Sequence, residues 1–501
     1  MKSRIPVLAL VVAFAVSACS PDNVVTPLKV PSSPNLAKSA GPSSGKYVVM
    51  TTPGRLPANF AQTVASLGGT LTAAHAGAGF ATVSGLTADA ANQLATTAGV
   101  TEVDPDEIVS LEQPTAPIRA DAAALAAGPS IESATNPATA ILASWQWNMA
   151  LINADKAWAA GKLGSSTVTV AILDTGIDYD NRDLNGLVDL SRSVSFMNVY
   201  VPDSTETRLP DDAITTTFFP TRNKISDYNG HGTNVAAQVS SRAFAFAGLT
   251  SQTTLIGVKV LGSNGAGTLG TVLSGVLWAA DHGADVANMS LGGSFQKAGN
   301  HPVVKVIKAV FDYAAKSGTL IVVAAGNSAS NLDKNGDVFA AYCDAPHVLC
   351  VSAVGPTTVN GDPDTPAFYS NFGKKSVDVA GPGGNLDPAT LPITNWPWGP
   401  DFASWVWSFC SKTTLLFTDT GAPSFAGCQA GNIVTGFIGT SQATPHVTGL
   451  AALLVAENPG YKTHRIKQIV EDTGDRIPRA FGGNRINVAK ALGIKVKKPR
   501  S

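Results

Sequence analysis

The stretch Val168-Thr-Val-Ala-Ile-Leu-Asp-Thr-Gly176 decides the fold class. Its first six residues are β-branched or apolar without alternation, which is typical of a strand buried on both faces, and Asp-Thr-Gly then predicts a turn. Similar runs occur at residues 254–260, 286–289, 320–323 and 348–354, and helical patterns occur at residues 269–282, 304–317 and 444–456. This alternation predicts an α/β domain with a mostly parallel sheet, helices on both faces, and functional residues beyond the carboxyl ends of the strands.

The composition limits the classes of protein and partner. The chain has 501 residues, more than one compact core holds, so we expect one large domain with smaller accessories. Charged residues make up 14% of the chain and the formal net charge is -1, so no nucleic-acid partner is expected. No apolar stretch of bilayer-spanning length follows the first twenty residues, and the basic residues 494–501 predict a solvated tail.

The N-terminus predicts export. Lys2 and Arg4 precede the apolar residues 5–16, a pattern typical of a signal peptide. The following Val16-Ser-Ala-Cys19 is similar to the cleavage site of bacterial lipoproteins, in which Cys19 would be acylated after removal of residues 1–18; a buried core cysteine is the alternative. We therefore expect a secreted protein or an outer-membrane lipoprotein precursor, with a membrane contacted only through the lipid on Cys19.

Three regions separate the signal from the main domain. Residues 19–44 are rich in Pro, Ser, Asn and Ala and predict a disordered tether. Residues 45–111 predict a small α+β unit, with strands at 46–50 and 79–83 and helices at 57–67 and 88–98. Residues 112–143 are again rich in Ala, Pro and Ser and predict a linker with a processing site. We expect residues 144–493 to form the main domain.

Four further cysteines bear on the redox state of the chain. In an exported protein Cys343, Cys350, Cys410 and Cys428 predict two disulfides. Of the three pairings that four cysteines allow, proximity in sequence favours Cys343–Cys350 and Cys410–Cys428. A zinc site is the alternative, although the sequence has no CxxC pair.

Three short motifs carry the candidate chemistry. Asp174 follows the buried strand, His231 lies in Asn229-Gly-His-Gly-Thr233, and Ser441 lies in Gly439-Thr-Ser-Gln-Ala-Thr-Pro445 at the start of an apolar helix. Each residue alone has an ordinary explanation as a turn former, a structural histidine or a helix cap. Together they predict a catalytic triad, because a serine hydroxyl needs an imidazole to accept its proton and the imidazole needs a carboxylate to fix its tautomer.

A tetrahedral intermediate also needs donors for its oxyanion. Val323-Ala-Ala-Gly-Asn327 ends a predicted strand in a turn, so the amide of Asn327 and the backbone N–H of Ser441 are the candidates. An asparagine that serves only the turn is the alternative. This chemistry requires no cofactor and no metal.

Taken together, these motifs resemble the subtilase family of subtilisin-like and proteinase-K-like serine proteases, over about residues 147–492. The resemblance implies a subtilisin-like fold and a serine endopeptidase that acts on polypeptide substrates, and we expect a monomer. It also implies substrate-binding residues. Two segments would pair with the substrate main chain: Ser290, Leu291, Gly292 and Gly293 on one side, and Gly265 to Gly267 on the other.

By the same resemblance, the primary pocket would have apolar walls and favour a bulky hydrophobic or aromatic residue before the scissile bond. The implied walls are Ala324, Ala325 and Gly326 on one side and Leu291 and Gly292 on the other.

Residues 45–111 resemble the inhibitory propeptide that precedes many subtilase domains. The resemblance implies an intramolecular inhibitor whose C-terminal end lies in the active site and is removed by self-cleavage. Cleavage within residues 112–146 would leave the lipidated N-terminus in the membrane and release the main domain.

Some residues depart from the family pattern. Gln442 stands where most members have a methionine beside the nucleophile, which predicts resistance to peroxide. Asp183 matches a calcium-binding carboxylate, but residues 240–248 lack the loop that supplies the other oxygens, so we expect no calcium there. Structural calcium elsewhere is open, around Asp362 and Asp364 or around Asp333 and Asp337.

Two other functions are compatible with the same motifs. One is a surface lipoprotein that only binds, although the presence of all four catalytic groups argues against it. The other is a hydrolase or acyl transferase that acts on esters or on one specific precursor, because the geometry determines the chemistry and not the substrate.

Overall fold

The computed structural model describes residues 42–114, 118–122, 134–198, 209–296, 301–340, 342–358, 360–387, 404–417, 423–425, 433–478 and 481–495. The predicted signal peptide, Cys19, most of the tether, Cys428 and residues 496–501 lie outside the described residues. The predictions made for them stay predictions.

Twenty strands lie within the described residues. They are β1 Pro42–Thr51, β2 Thr70–His75, β3 Phe80–Ser84, β4 Val100–Ser110, β5 Ile118–Asp121, β6 Thr169–Asp174, β7 Val194–Ser195, β8 Thr254–Lys259, β9 Ala266–Thr268, β10 Val286–Met289, β11 Ser294–Gln296, β12 Leu320–Ala324, β13 Val338–Ala340, β14 Val348–Val354, β15 Val379–Pro382, β16 Val406–Phe409, β17 Leu415–Phe417, β18 Pro423–Phe425, β19 Ile433–Phe437 and β20 Asn484–Arg485.

The α-helices of the described chain are Phe60–Ser66, Ala88–Ala95, Trp147–Leu151, Ala154–Ala159, Asp211–Phe218, His231–Val239, Leu269–Asp281, His301–Ser317, Thr440–Glu457, Thr463–Asp472 and Val488–Ala491. Short 3₁₀ helices occur at Pro137–Thr139, Ala143–Trp145 and Leu332–Lys334. None of the described helices is long and apolar enough to span a membrane.

The central sheet has the order β20-β15-β14-β12-β10-β6-β8-β7 and is parallel throughout. Helices cover both faces: Leu269–Asp281 and His301–Ser317 on one, His231–Val239 and Thr440–Glu457 on the other. In β6, Val170 and Ile172 pack on one face while Ala171 and Leu173 pack on the other. This double burial explains the apolar run without alternation, and the predicted α/β class is confirmed.

The N-terminal unit, residues 42–111, forms an antiparallel sheet in the order β2-β3-β1-β4. Its helices Phe60–Ser66 and Ala88–Ala95 cover one face, where they pack on Val49. On the opposite face, Val48 and Phe80 join the core that surrounds the helix Leu269–Asp281 of the main domain. The unit is therefore docked on the main domain through an apolar face.

Strand β4 continues this sheet into the main domain, because it pairs antiparallel with β9. The sequence did not predict β4, which contains Pro105 and four acidic residues. It forms because β1 and β9 provide main-chain partners on its two edges. Strand β5, also not predicted, pairs with β19, so the chain contacts the main domain on both sides of residues 112–117.

The structure contains the disulfide Cys343–Cys350. Cys410 is also disulfide-bonded. Its predicted partner, Cys428, lies outside the described residues, so the pairing Cys410–Cys428 stays a prediction.

Candidate active site

Asp174 and His231 form a buried hydrogen-bonded pair. Asp174 is the last residue of β6, and His231 is the first residue of the helix His231–Val239. The distance from His231 Nδ1 to Asp174 Oδ1 is 2.8 Å. Because a carboxylate accepts hydrogen bonds, Nδ1 carries the proton and donates. The Nε2 atom of His231 is then left with a lone pair that can accept a proton.

The two loops that carry this pair approach each other closely. A Cβ added to Gly232 would stand 2.2 Å from the carbonyl oxygen of Gly176, in the turn after Asp174. The Gly232 N–H donates to the Thr175 hydroxyl at 3.0 Å. Only glycine fits between the two loops without moving the backbone.

Asp227, which the sequence analysis did not single out, links the same two loops. Its Oδ1 accepts from the Thr175 hydroxyl at 2.9 Å and from the Gly230 N–H at 2.8 Å. Its Oδ2 accepts from the Thr233 hydroxyl at 2.6 Å and the Thr233 N–H at 2.9 Å. Asp227 is fully buried, so these donors compensate its desolvation and hold the two loops in register. Its position four residues before His231 was the available sequence signal.

Ser441 lies in the first turn of the helix Thr440–Glu457 and is 5% exposed. Its carbonyl oxygen accepts the Ser290 hydroxyl at 2.7 Å. The start of this helix places positive potential beside the serine. The ring of His231 packs edge-on against Phe437, four residues before Ser441, with centroids 5.7 Å apart. The imidazole therefore borders the segment that leads into the serine.

Asn327 is oriented by Thr440. The Oδ1 atom of Asn327 accepts from both the N–H and the hydroxyl of Thr440, each at 2.9 Å. With its oxygen fixed in this way, the amide directs Nδ2 to the main-chain carbonyl oxygen of Glu112, to which it donates a hydrogen bond. Asn327 thus already binds a peptide carbonyl, which is the contact required of an oxyanion donor.

Of the two predicted substrate-binding segments, Gly265 to Gly267 pairs with the chain's own residues 109–111. On one side, the Leu111 N–H donates to the Gly265 carbonyl at 2.9 Å, and Val109 of β4 lies opposite Gly267 of β9. On the other side, the segment from Ser290 to Gly293 follows β10, with Leu291 buried and Gly292 and Gly293 partly exposed.

Glu112 occupies the predicted primary pocket. A Cβ added to Gly326 would stand 3.3 Å from Glu112 Oε2, and one added to Gly292 would stand 3.8 Å from Oε1. The Asn327 N–H donates to Oε2 at 2.8 Å. Burial raises the pKa of the Glu112 carboxyl, and hydrogen bonds from Asn327 and Ser328 oppose the rise. Sequence reasoning did not identify Glu112, although it is the first residue after the predicted α+β unit.

A carboxyl group in this pocket differs from the expected apolar preference. Ala324 and Ala325 are buried as expected. The polar character comes from the turn that follows them, where the main-chain N–H of Asn327 faces the pocket. Main-chain donors of this kind leave no trace in the side-chain composition, so the sequence could not reveal them.

Asp183, which stands at the position of a calcium-binding carboxylate in the family, is bound by main-chain N–H groups. Its Oδ1 accepts the N–H groups of Phe244 and Ala245 at 2.8 and 3.0 Å, and its Oδ2 accepts the N–H of Phe246 at 3.1 Å. These donors occupy the oxygens that a cation would need. Burial raises the pKa of Asp183 to about 7. Within the described ranges, no cluster of three or more His, Cys, Asp or Glu side chains could hold a metal ion.

The parallel sheet, the buried Asp174–His231 pair and Ser441 at a helix start define the class of protein, which is a serine peptidase. More specifically, the chain belongs to the subtilase family, whose model, described as "Subtilase family", matches residues 165–488.

Curated relatives agree with this assignment, and a solved structure agrees with the fold. The chain is 29% identical to alkaline elastase YaB of Bacillus sp. (strain YaB), over 69% of each chain. It is also 29% identical to thermitase of Thermoactinomyces vulgaris, over 70% of this chain and 96% of thermitase. In fold it is similar to the epidermin leader peptide processing serine protease of Staphylococcus aureus, with a TM-score of 0.66 and 20% identity over 91% of this chain and 99% of the other.

Proposed function

We propose that the chain is a secreted serine endopeptidase, made as a self-inhibited precursor that processes itself. Its catalytic residues are Asp174, His231, Ser441 and Asn327. The observation that carries this proposal is the hydrogen bond from Asn327 Nδ2 to the carbonyl oxygen of Glu112, because it holds a peptide group of the chain where an oxyanion would form.

The mechanism follows from these positions. Ser441 Oγ attacks the peptide carbonyl carbon while His231 Nε2 takes its proton, and Asp174 stabilises the resulting imidazolium. The oxyanion accepts hydrogen bonds from Asn327 Nδ2 and the Ser441 N–H. The C–N bond then breaks, and His231 gives the proton to the leaving amine. Water, deprotonated by His231, hydrolyses the acyl-enzyme, so that a carboxylic acid leaves and the Ser441 hydroxyl is restored.

Self-inhibition follows from occupation of the cleft. Strand β4 pairs with β9, and Leu111 donates to Gly265, so the N-terminal unit uses the main-chain groups that a substrate would use. The apolar contact of Val48 and Phe80 with the main domain adds affinity that an ordinary substrate lacks. The unit therefore remains bound after cleavage until it is degraded or dissociates.

The predicted signal and Cys19 support export. In this proposal the N-terminal unit stays attached to the membrane through the lipid, and cleavage releases the peptidase domain. An acylated protein fraction that contains Ser441 after processing would contradict the release.

The test compares wild type with Ser441→Ala, both expressed without residues 1–18, and uses Ser166→Ala at an exposed serine as the matched control. Wild type and Ser166→Ala should each separate into two fragments and digest casein, while Ser441→Ala should stay full length and inert. Hydrolysis of small esters without casein digestion would favour the ester hydrolase. Self-cleavage of Ser441→Ala would contradict the assignment of the nucleophile.

A further inference from the structure

We propose that the primary pocket selects the side chains of glutamate and glutamine, so that the enzyme cuts its own chain between Glu112 and Gln113 and cuts substrates after these residues. This inference rests on the proposed function and names its substrate class. It replaces the bulky hydrophobic preference expected from the sequence.

The cleavage point follows from the register of the bound chain. Val109 lies opposite Gly267, and the Leu111 N–H donates to Gly265, so each residue from β4 onward has a fixed place in the cleft. The next carbonyl along the chain, that of Glu112, is the one bound by Asn327 Nδ2. Attack by Ser441 on this carbonyl breaks the bond to Gln113. Glu112 becomes a C-terminal carboxylate, and Gln113 becomes a free N-terminal amine.

The preference for glutamate and glutamine side chains follows from the groups that line the pocket. The groups that face the Glu112 carboxyl are neutral: the Asn327 N–H, the Ser328 hydroxyl, and the backbone of Gly292 and Gly326. The N–H can donate to one oxygen of a carboxyl or carboxamide, and the hydroxyl can accept from or donate to the other polar atom. Glutamine is therefore an isostere that makes both contacts, whereas an aromatic ring would leave both groups unpaired.

The pocket is rigid, because Asn371 holds the turn that forms it. Asn371 Oδ1 accepts the N–H groups of Ser328 and Ser330 at 3.1 and 2.9 Å, and its Nδ2 donates to the Ala325 carbonyl at 2.8 Å. Asn371 also limits the space, because a Cβ added to Gly326 would stand 2.5 Å from its Nδ2. A pocket that cannot adjust should discriminate strongly between substrate side chains that differ in length and polarity.

The first experiment varies Glu112 in the full-length precursor without its signal. Wild type and Glu112→Gln should process themselves, and mass spectrometry should find Gln113 or its cyclised form as the new N-terminus. Glu112→Phe and Glu112→Lys should process at least about tenfold more slowly, because they leave the pocket donors unpaired or bring in an unpaired charge. Equal processing of Glu112→Phe, or a new N-terminus elsewhere in the wild type, would overturn the proposal.

The second experiment measures the activated enzyme on quenched peptides Ile-Val-Ser-Leu-X-Gln-Pro-Thr, which copy residues 108–115 with X as Glu, Gln, Phe or Lys. The kcat/KM for Glu and Gln should exceed that for Phe and Lys by at least about tenfold. The variant Ser328→Ala should reduce this preference, while the exposed-site control Ser166→Ala should not. A higher kcat/KM for Phe would overturn the selection but leave the peptidase assignment intact. Failure to cut any peptide or casein would instead count against the proposed function.

The pH dependence provides a signature that a merely structural role of Glu112 would not produce. Because burial raises the pKa of the bound glutamate carboxyl, the pocket binds its neutral form more tightly. The ratio of kcat/KM for the Glu peptide to that for the Gln peptide should therefore rise as the pH falls from 8 to 5. Any change in the catalytic groups, which both peptides share, affects both values and cancels in the ratio. A ratio that falls over this range would show that a cation recognises the carboxylate, which would overturn the neutral-donor pocket.

Discussion

Asp106 Oδ1 accepts the backbone N–H of Gly270 at 2.7 Å, so a carboxyl group of the N-terminal unit caps the helix Leu269–Asp281 of the main domain. Asp106 is 4% exposed. Burial raises its pKa from 3.8 to about 6, and repulsion from Glu107 adds to the rise. Hydrogen bonds from Thr268 and Gly270 and the charge of Lys46 oppose it. The docked unit thus holds a proton more tightly than the unfolded chain does.

This proton uptake predicts that the precursor loses stability as the pH rises. An acid whose folded pKa lies above its unfolded value contributes most below the unfolded pKa, here 3.8, and its contribution is lost as the pH approaches about 6. Above pH 6, the raised pKa of Asp106 lowers the free energy of unfolding by on the order of 2–3 kcal/mol. Asn at this position can still accept the Gly270 N–H and has no charge to desolvate.

The measurement is the free energy of unfolding in urea of the uncut Ser441→Ala precursor, with and without Asp106→Asn, from pH 4 to 7. The advantage of Asp106→Asn is its free energy of unfolding minus that of the protein that keeps Asp106. This difference should grow between pH 4 and 6 and then stay constant. Asp104, whose pKa burial also raises to about 6 with help from Glu102 and opposition from Lys305, is left unchanged and cancels in the comparison. An advantage that is constant from pH 4 to 7 would contradict the raised pKa of Asp106.

The sequence predicted those features of the fold and the site that depend on contiguous residues. The apolar run before Asp174 predicted a strand buried on both faces, and the motif around Ser441 predicted a helix start, because both features are local. The sequence did not predict β4, whose acidic residues argue against a strand until its partners β1 and β9 are known.

Residues whose role depends on distant partners were also missed. Glu112 acquires its role from Asn327, 215 positions further along the chain, and Asp227 acquires its role from Thr175, 52 positions before it. Neither relationship leaves a pattern in the sequence near the residue. Only folding brings the partners together, so the positions of these two acids beside predicted features did not reveal their contacts.

Removal of the Asn327 amide should slow turnover more than it weakens substrate binding. The variant Asn327→Ala removes the donor to the oxyanion, and the loss measured for such donors in this enzyme family is about 10²–10³-fold in kcat. KM should change little, because the contact strengthens as the oxyanion forms. Steady-state kinetics on a quenched peptide tests this, with Asn185→Ala, at an exposed asparagine, as the control. A rise in KM at constant kcat would instead indicate a role in substrate binding alone.

Loss of the Asp227 carboxylate should destabilise the domain and reduce activity together. The variant Asp227→Ala leaves the buried hydroxyls of Thr175 and Thr233 without their acceptor and separates the loops that carry Asp174 and His231. Each buried donor that is left without its acceptor costs about 1–3 kcal/mol. Urea unfolding of Ser441→Ala with and without Asp227→Ala measures the loss free of self-digestion. The control variant Asp180→Ala, at an exposed aspartate in the loop after Asp174, should change the free energy of unfolding little. Equal stability of the two aspartate variants would contradict the linking role of Asp227.

Gln442 should protect the enzyme from oxidation. It is buried beside Ser441 at 1% exposure, in the first turn of the helix Thr440–Glu457. An amide does not react with dilute peroxide, whereas a methionine there becomes a sulfoxide, which is larger and more polar than the thioether and would disturb the serine. Wild type should therefore keep most of its casein-digesting activity after exposure to peroxide, and Gln442→Met should lose most of it. The activity of Gln442→Met before exposure serves as its own control. If wild type is inactivated as fast as Gln442→Met, oxidation acts at another residue and the protection does not come from Gln442.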